Sequence, residues 1–298
     1  MAKNLNITEI KVKSILNKHK KRDPWFLDDY SINPYKGCEF NCIYCYTKGT
    51  HYGGTLNQPL SVKINAPQLL KKELSNRAKK GEYGFIAVSS ATEPWMPLEK
   101  SYQITRKCLE VIRDLKFPIH CLTKSPLILR DLDILLGIDK KAILPEDLKE
   151  KDLSGVRITV SFCSLNQKIA KIFDPSVPSV EERLKLVETL VEKGLDVGIA
   201  FMPILPFISD KEEELEEMVK VAKELKVKRV YFSPPTLFGK GKVIFLSVLK
   251  KHFPDLVEKY EKLYVRGIPA KSYTQDFYQK VKRICKRREV KFILFFNF

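Results

Sequence analysis

The chain has 298 residues, is 44% hydrophobic and 10% aromatic, and carries a formal net charge of +17. That apolar content suits one large domain or two small ones and excludes a disordered or fibrous chain. No apolar run approaches the roughly 18 residues that span a bilayer, and the charged N-terminus lacks the apolar core and cleavage site of a signal peptide. The reading therefore places the protein in the cytoplasm, away from membranes. The charge is uneven. Residues 1–22 hold seven Lys/Arg against one Asp/Glu, residues 236–298 hold fifteen against five, and the stretch between carries only +1. A basic excess at both ends suits a polyanionic partner such as nucleic acid, while solvated helix faces give the same count.

In chain order, a basic arm over 1–27 precedes a candidate strand at 30–34. A helical stretch follows at 67–80, then a β-rich run at 84–90, a helix at 101–116, and runs at 117–123 and 156–162. These short apolar runs have the character of buried parallel strands. Over 180–193 the residues Val180, Leu184, Val187, Leu190 and Val191 recur at helical spacing; Ser179 with Glu182 forms a capping-box start, and Gly194 a stop. A strand at 196–203, a helix at 212–226 (Leu215, Met218, Val219, Ala222, Leu225) and a strand at 229–233 complete the alternation. The tail reads as basic helices over 243–264 and 273–286, with a final strand or docking segment at 290–296. Strand alternating with helix about six times implies an α/β fold with a parallel sheet. An incomplete α/β barrel and a doubly wound open sheet both satisfy the pattern, and either puts function at the carboxyl ends of the strands.

Seven cysteines in a chain of this size do not suggest a disulfide framework, because the odd count leaves a thiol over. Cys108, Cys121, Cys163 and Cys285 are scattered, whereas Cys38, Cys42 and Cys45 fall within the segment N-P-Y-K-G-C-E-F-N-C-I-Y-C-Y. Three thiolates on one short loop can hold three corners of a 4Fe–4S cluster and leave one iron open. Zinc is the competing reading, since Cys-x2-Cys is a zinc half-site; it needs a fourth ligand, for which His51 is the nearest candidate.

The Cys-x3-Cys-x2-Cys spacing, with Tyr44 just before the last cysteine, resembles the radical S-adenosylmethionine (SAM) superfamily. The wording N-P-Y-K-G-C, S-A-T-E-P-W-M-P-L-E-K, T-K-S-P-L-I-L-R-D-L-D, V-S-F and E-E-R-L before M-P-I-L-P is similar to its spore photoproduct lyase branch and the DNA-repair-photolyase-like relatives. The resemblance implies a partial (β/α)6 barrel over 28–235, with 236–298 as a basic helical extension. It also implies a 4Fe–4S cluster whose open iron binds S-adenosylmethionine, reductive cleavage of that cofactor to a 5′-deoxyadenosyl radical, and an electron donor such as ferredoxin or flavodoxin.

Carried over by residue, the resemblance puts Cys38, Cys42 and Cys45 on the metal and Tyr44 near the adenine. Thr92 and Glu93 would meet the methionine amino end or neighbouring polar groups, and Lys124 and Ser161 the carboxylate or ribose. Met202 with Pro203 would contact the adenine, and Arg183 would brace the site. One departure stands out: the lyase uses a cysteine after its second strand as hydrogen-atom donor, and here Ser90 occupies that stretch. Cys163, Cys121 and Tyr46 are the weak candidates for a substitute donor, and Tyr35 is a further exposed-tyrosine candidate. The leading expectation is an enzyme acting on nucleic acid, with residues 280–288 (KVKRICKRR) contacting phosphates. A peptide or small-metabolite substrate, and a zinc-stabilised nucleic-acid-binding protein without catalysis, are the alternatives.

Overall fold

The computed structural model describes residues 7–48, 60–151 and 153–294. Its contacts divide the chain into two units. The first comprises residues 1–39, 52–159 and 192–196, the second residues 40–51, 160–191 and 197–298.

The first unit begins with β1 (Ile7–Ile10) and β2 (Asn17–Lys18), so the described part of the basic arm is built into the fold. Next come β3 (Asp28–Ile32), β4 (Tyr35–Lys36), β5 (Leu60–Lys63) and the helix α1 (Ala66–Ala78). β1 pairs parallel and β4 antiparallel with β5, making a small three-stranded sheet. The arm is also held by side chains. Asn65 exchanges two hydrogen bonds with the Val12 backbone, and Glu73 accepts the Ile15 and Leu16 N–H groups. Composition could not reveal these anchors, because each lies more than fifty residues away in sequence.

β6 (Phe85–Val88), β7 (Ile119–Thr123) and the first half of β8 (Val156–Phe162) continue this unit, where β2 pairs antiparallel with β3, and β3, β6 and β7 pair parallel. Between them run α2 (Glu99–Tyr102), α3 (Ile104–Asp114) and α4 (Leu132–Lys141). The sequence reading expected one helix from 101 to 116. The structure breaks it at Gln103, whose φ of 53° is left-handed and ends the first short helix.

The second unit carries the cysteine segment, the rest of β8, α5 (Gln167–Phe173), α6 (Val180–Glu192), β9 (Asp196–Phe201), α7 (Glu212–Glu224) and β10 (Arg229–Phe232). It ends with α8 (Gly239–His252), α9 (Val257–Leu263), α10 (Lys271–Arg288) and β11 (Phe292–Leu294). β9, β10 and β11 are parallel neighbours. The expected helix over 243–264 is interrupted after His252, where Phe253 leaves helical geometry and Pro254 removes a donor. The final run is a strand as far as Leu294, and its last two residues lie outside the described residues.

Every residue of β8 is buried, and its polar residues Arg157, Thr159 and Ser161 alternate with Val156, Ile158, Val160 and Phe162. With a side-chain period of two, one face of the strand is polar and the other apolar. Among the described residues no helix is long and apolar enough to cross a membrane.

Candidate functional site

The cysteine loop leaves β4 through Gly37, whose φ is +81° and where a Cβ would meet the Leu60 side chain at 2.9 Å. Only glycine relieves both constraints, and it turns the chain into Cys38. Cys38, Cys42 and Cys45 are all half-buried, in contrast to Cys108, Cys121, Cys163 and Cys285, which are fully buried, and no disulfide joins any of the seven. The three loop thiols are therefore the accessible ones among the seven cysteines, which suits an iron–sulfur cluster. Among the described residues, no three Cys, His, Asp or Glu side chains converge closely enough to hold a metal ion. The donor chemistry thus fits the cluster, while the side chains do not adopt its geometry in this structure. His51, the zinc alternative's fourth ligand, lies outside the described residues.

In the first unit, Asn33 stands just before the loop. Its side chain accepts the Ala91 N–H at 2.9 Å and donates to Ser90 Oγ at 3.4 Å. Tyr35, almost wholly buried, donates to the Glu99 carboxylate, and Glu39 accepts the Leu98 N–H at 2.6 Å. Thr92 keeps a buried hydroxyl for which the described residues offer no partner. Such an orphaned group costs stability unless something fills it, so it is a suitable contact for a polar ligand.

Glu93 is 6% exposed and faces inward. It accepts Thr123 Oγ1 at 2.5 Å, the Trp95 N–H at 3.1 Å and the Lys124 N–H at 2.9 Å. Burial pushes its carboxyl above the usual range, and these donors pull it back. Glu93 therefore ties the ends of β6 and β7 together, and Lys124 joins it through its backbone while its side chain stays half-buried. Cys121 is fully buried, and burial together with Asp28, Glu93 and Asp131 pushes its thiol well up.

In the second unit, Tyr44 is buried and donates its hydroxyl to Asp174; burial and that carboxylate push its phenol well up, so it stays protonated. Arg183 is 1% exposed. It donates to the Ser161 carbonyl at 2.7 Å, faces Asp174 at 3.4 Å and covers the Phe162 ring at 4.8 Å. Ser161 Oγ donates to the Met202 carbonyl at 3.0 Å. Met202 is half-buried and precedes Pro203 through a cis peptide. Cys163 donates its thiol to Asp174 at 3.4 Å, whereas Tyr46 is 54% exposed. Tyr44, Ser161, Arg183 and Met202, separated by as many as 158 positions, thus share one hydrogen-bonded group.

Asp174 at the centre of that group, and Asn33 and Glu39 beside the cysteines, were not singled out from sequence. Asn33 and Glu39 lie inside the motif itself and could have been. Asp174 follows a short helix in an ordinary Asp-Pro turn, with no pattern tying it to Tyr44.

The basic tail is less free than its composition suggests. Arg283 pairs with Glu212 at 2.7 Å and Arg287 with Glu216, so acidic α7 takes up part of the charge of α10. Lys282 and Lys286 are exposed, with no ion pair among the described residues.

A family model described as the Radical SAM superfamily matches residues 32–219. An uncharacterized protein of Methanocaldococcus jannaschii is 31% identical over 216 residues, covering 71% of this chain and 73% of that one. A radical SAM Nα-GlyT isomerase of Pseudomonas phage M6 is 24% identical over 186 residues, covering 62% of this chain and 35% of the phage protein. Among solved structures, a mutant spore photoproduct lyase with bound AdoMet and dinucleoside spore photoproduct superposes with a TM-score of 0.71. The match covers 98% of this chain and 82% of the lyase at 15% identity, which speaks to fold alone.

Proposed function

The chain belongs to the radical SAM superfamily, and on that premise we propose that it is a radical SAM enzyme whose substrate is nucleic acid, in repair or modification. It shares the fold of spore photoproduct lyase, and its cofactors are those of the family, a 4Fe–4S cluster and S-adenosylmethionine. The observation that carries the assignment of the metal site is the Cys-x3-Cys-x2-Cys loop near the start of the matched region, its three thiols accessible while the other four are buried. Cys38, Cys42 and Cys45 are the residues that would hold the cluster. When bound, the cluster supplies the electron that cleaves S-adenosylmethionine and generates a 5′-deoxyadenosyl radical.

The chain's own residues position and shield. Tyr44 and Met202 are the residues that would meet the adenine. Thr92 offers a hydroxyl that lacks a partner among the described residues. Lys124 would supply a cation for the methionine carboxylate, and Ser90 and Ser161 would each offer a hydroxyl. Glu93 acts chiefly by holding two strand ends in place, since its carboxylate already accepts three hydrogen bonds. Arg183 braces the end of β8 by donating to the Ser161 carbonyl.

The finer fold reading is a partial (β/α)6 barrel over 28–235, with 1–27 as an arm and 236–298 as a helical extension; the parallel pairing of β3, β6 and β7, and of β9 and β10, supports the barrel, while β11 adds a strand from the extension beside β10. A cytoplasmic location and a one-electron donor such as ferredoxin or flavodoxin belong to the same reading. Nucleic acid as substrate is supported by the exposed Lys282 and Lys286 on a basic tail and by the dinucleoside bound by the lyase of similar fold. The experiment is to add DNA, RNA, peptide mixtures or metabolite pools to the reconstituted enzyme and measure 5′-deoxyadenosine release above the uncoupled rate. Stimulation by a nucleic acid that weakens steeply with added salt supports the reading. Stimulation only by a peptide or metabolite, insensitive to salt, contradicts it.

A further inference from the structure

Asp174 lies one residue past α5 and is 2% exposed. One carboxylate oxygen accepts the Tyr44 hydroxyl, and the other faces Arg183 Nη1 and Cys163 Sγ, each at 3.4 Å. Its neighbour Phe173 accepts the Ile43 N–H at 2.8 Å. Two consecutive residues at the end of α5 thus grip two consecutive residues of the cysteine loop, and the gripped residues are the pair between Cys42 and Cys45. From the other oxygen the connection runs on through Arg183 to the Ser161 carbonyl at 2.7 Å and from Ser161 Oγ to the Met202 carbonyl at 3.0 Å. A buried carboxylate and guanidinium carry a desolvation cost that packing alone would avoid. Charge-assisted hydrogen bonds return positional precision for that cost, because they hold their partners in a narrow geometry.

We propose that Asp174 is a positioning residue that fixes the Cys42–Cys45 loop through Tyr44 and the strand ends bearing Ser161 and Met202 through Arg183. Two cluster ligands, Cys42 and Cys45, and the S-adenosylmethionine contacts Ser161 and Met202 are thereby held in one register. The inference rests on the functional reading above and adds to it a residue that touches neither cofactor.

The test uses full-length protein reconstituted with iron and sulfide, comparing wild type, Tyr44→Phe, Asp174→Asn and the double variant. Tyr44→Phe keeps the aromatic ring and the Asp174–Arg183 pair, so it folds even if Asp174→Asn, which strands the Arg183 charge, does not. Two readouts are independent of turnover: the rate at which a chelator strips iron, and the change S-adenosylmethionine produces in the electron paramagnetic resonance spectrum of the reduced cluster. Tyr44→Phe is expected to lose iron faster than wild type, with a metal affinity lower by roughly 10-fold, the scale typical when a group supporting a metal ligand is removed. Its cofactor-induced spectral change is expected to be diminished, with the double variant no worse than the poorer single. Wild-type iron retention and a wild-type spectral response in Tyr44→Phe would overturn the inference, as would fully additive effects. A wild-type protein that takes up no cluster overturns the functional reading itself, which sets the two failures apart.

Discussion

Replacing Glu99 with Gln tests how the fold holds the entry to the cysteine loop. The Glu99 side chain is fully buried. It accepts the Tyr35 hydroxyl, the Thr105 N–H at 3.0 Å, the Arg106 N–H at 3.1 Å and Arg130 Nη2 at 2.8 Å. It therefore caps the start of α3 and anchors Tyr35, three residues before Cys38. Glutamine keeps one oxygen acceptor but puts an amide donor where two or more donors already point. Breaking a buried ion pair from one side costs about 3–5 kcal/mol. Arg130 is about one-quarter exposed and keeps Asp131 at 2.8 Å, so the lower end, about 3 kcal/mol, applies. For a chain of this size that lowers the melting temperature by about 5 °C. The assay is anaerobic thermal unfolding followed by circular dichroism, with the surface change Lys149→Gln as a control expected to cost under about 0.5 kcal/mol. A loss below about 1 kcal/mol for Glu99→Gln would refute the reasoning, because it would mean that this carboxylate's four partners are replaceable by water or by each other.

Native apoprotein treated with a thiol reagent near neutral pH should label at Cys38, Cys42 and Cys45 and spare the other four, among which burial pushes Cys285 up to about 12; mass spectrometry showing rapid labelling of Cys121 or Cys163 would contradict this. Burial, reinforced by Asp23, raises the Asp28 carboxyl well above its usual value. A raised carboxyl stabilises the fold at low pH and loses that contribution as pH rises from about 4 through its folded value, so Asp28→Asn should gain on wild type with rising pH in urea titrations; a pH-independent difference would count against it. A Cβ at Gly241 would lie 3.5 Å from the Cys45 carbonyl oxygen and 3.6 Å from that of Lys48. Gly241→Ala should therefore retain iron on reconstitution while Gly241→Leu should lose it, and equal iron content in the two would refute the contact. Neutralising Lys282 and Lys286 together should weaken nucleic-acid binding more than neutralising the ion-paired Arg283 and Arg287, and the reverse order in a salt-titrated binding assay would show that the pairs open to phosphate.

The elements written in local pattern were legible before any coordinates. The runs at 156–162 and 196–203, the capped helix after Ser179 and the cysteine spacing depend on neighbours a few residues apart, and the structure places strands, a helix and a loop there. The positions that escaped depend on distant partners. A basic arm gives no local sign that Asn65 and Glu73 will hold it. The charge count of the tail could not show that α10 would lie against the acidic face of α7. Arg183 could be singled out from the motif that carries it, but its partner Asp174 could not, because a lone Asp before Pro reads as a turn. Nor could the sequence tell that Glu93 would spend its hydrogen-bonding capacity on the fold. Its setting before Pro94 and Trp95 looks the same whether the carboxylate points inward or toward a ligand.

The most direct test of the central claim is anaerobic reconstitution with iron and sulfide, followed by measurement of 5′-deoxyadenosine released from S-adenosylmethionine under a strong reductant, beside Cys42→Ala. The account expects a brown wild-type protein that releases 5′-deoxyadenosine and a Cys42→Ala variant that does not. A colourless protein that holds zinc and releases nothing would contradict it.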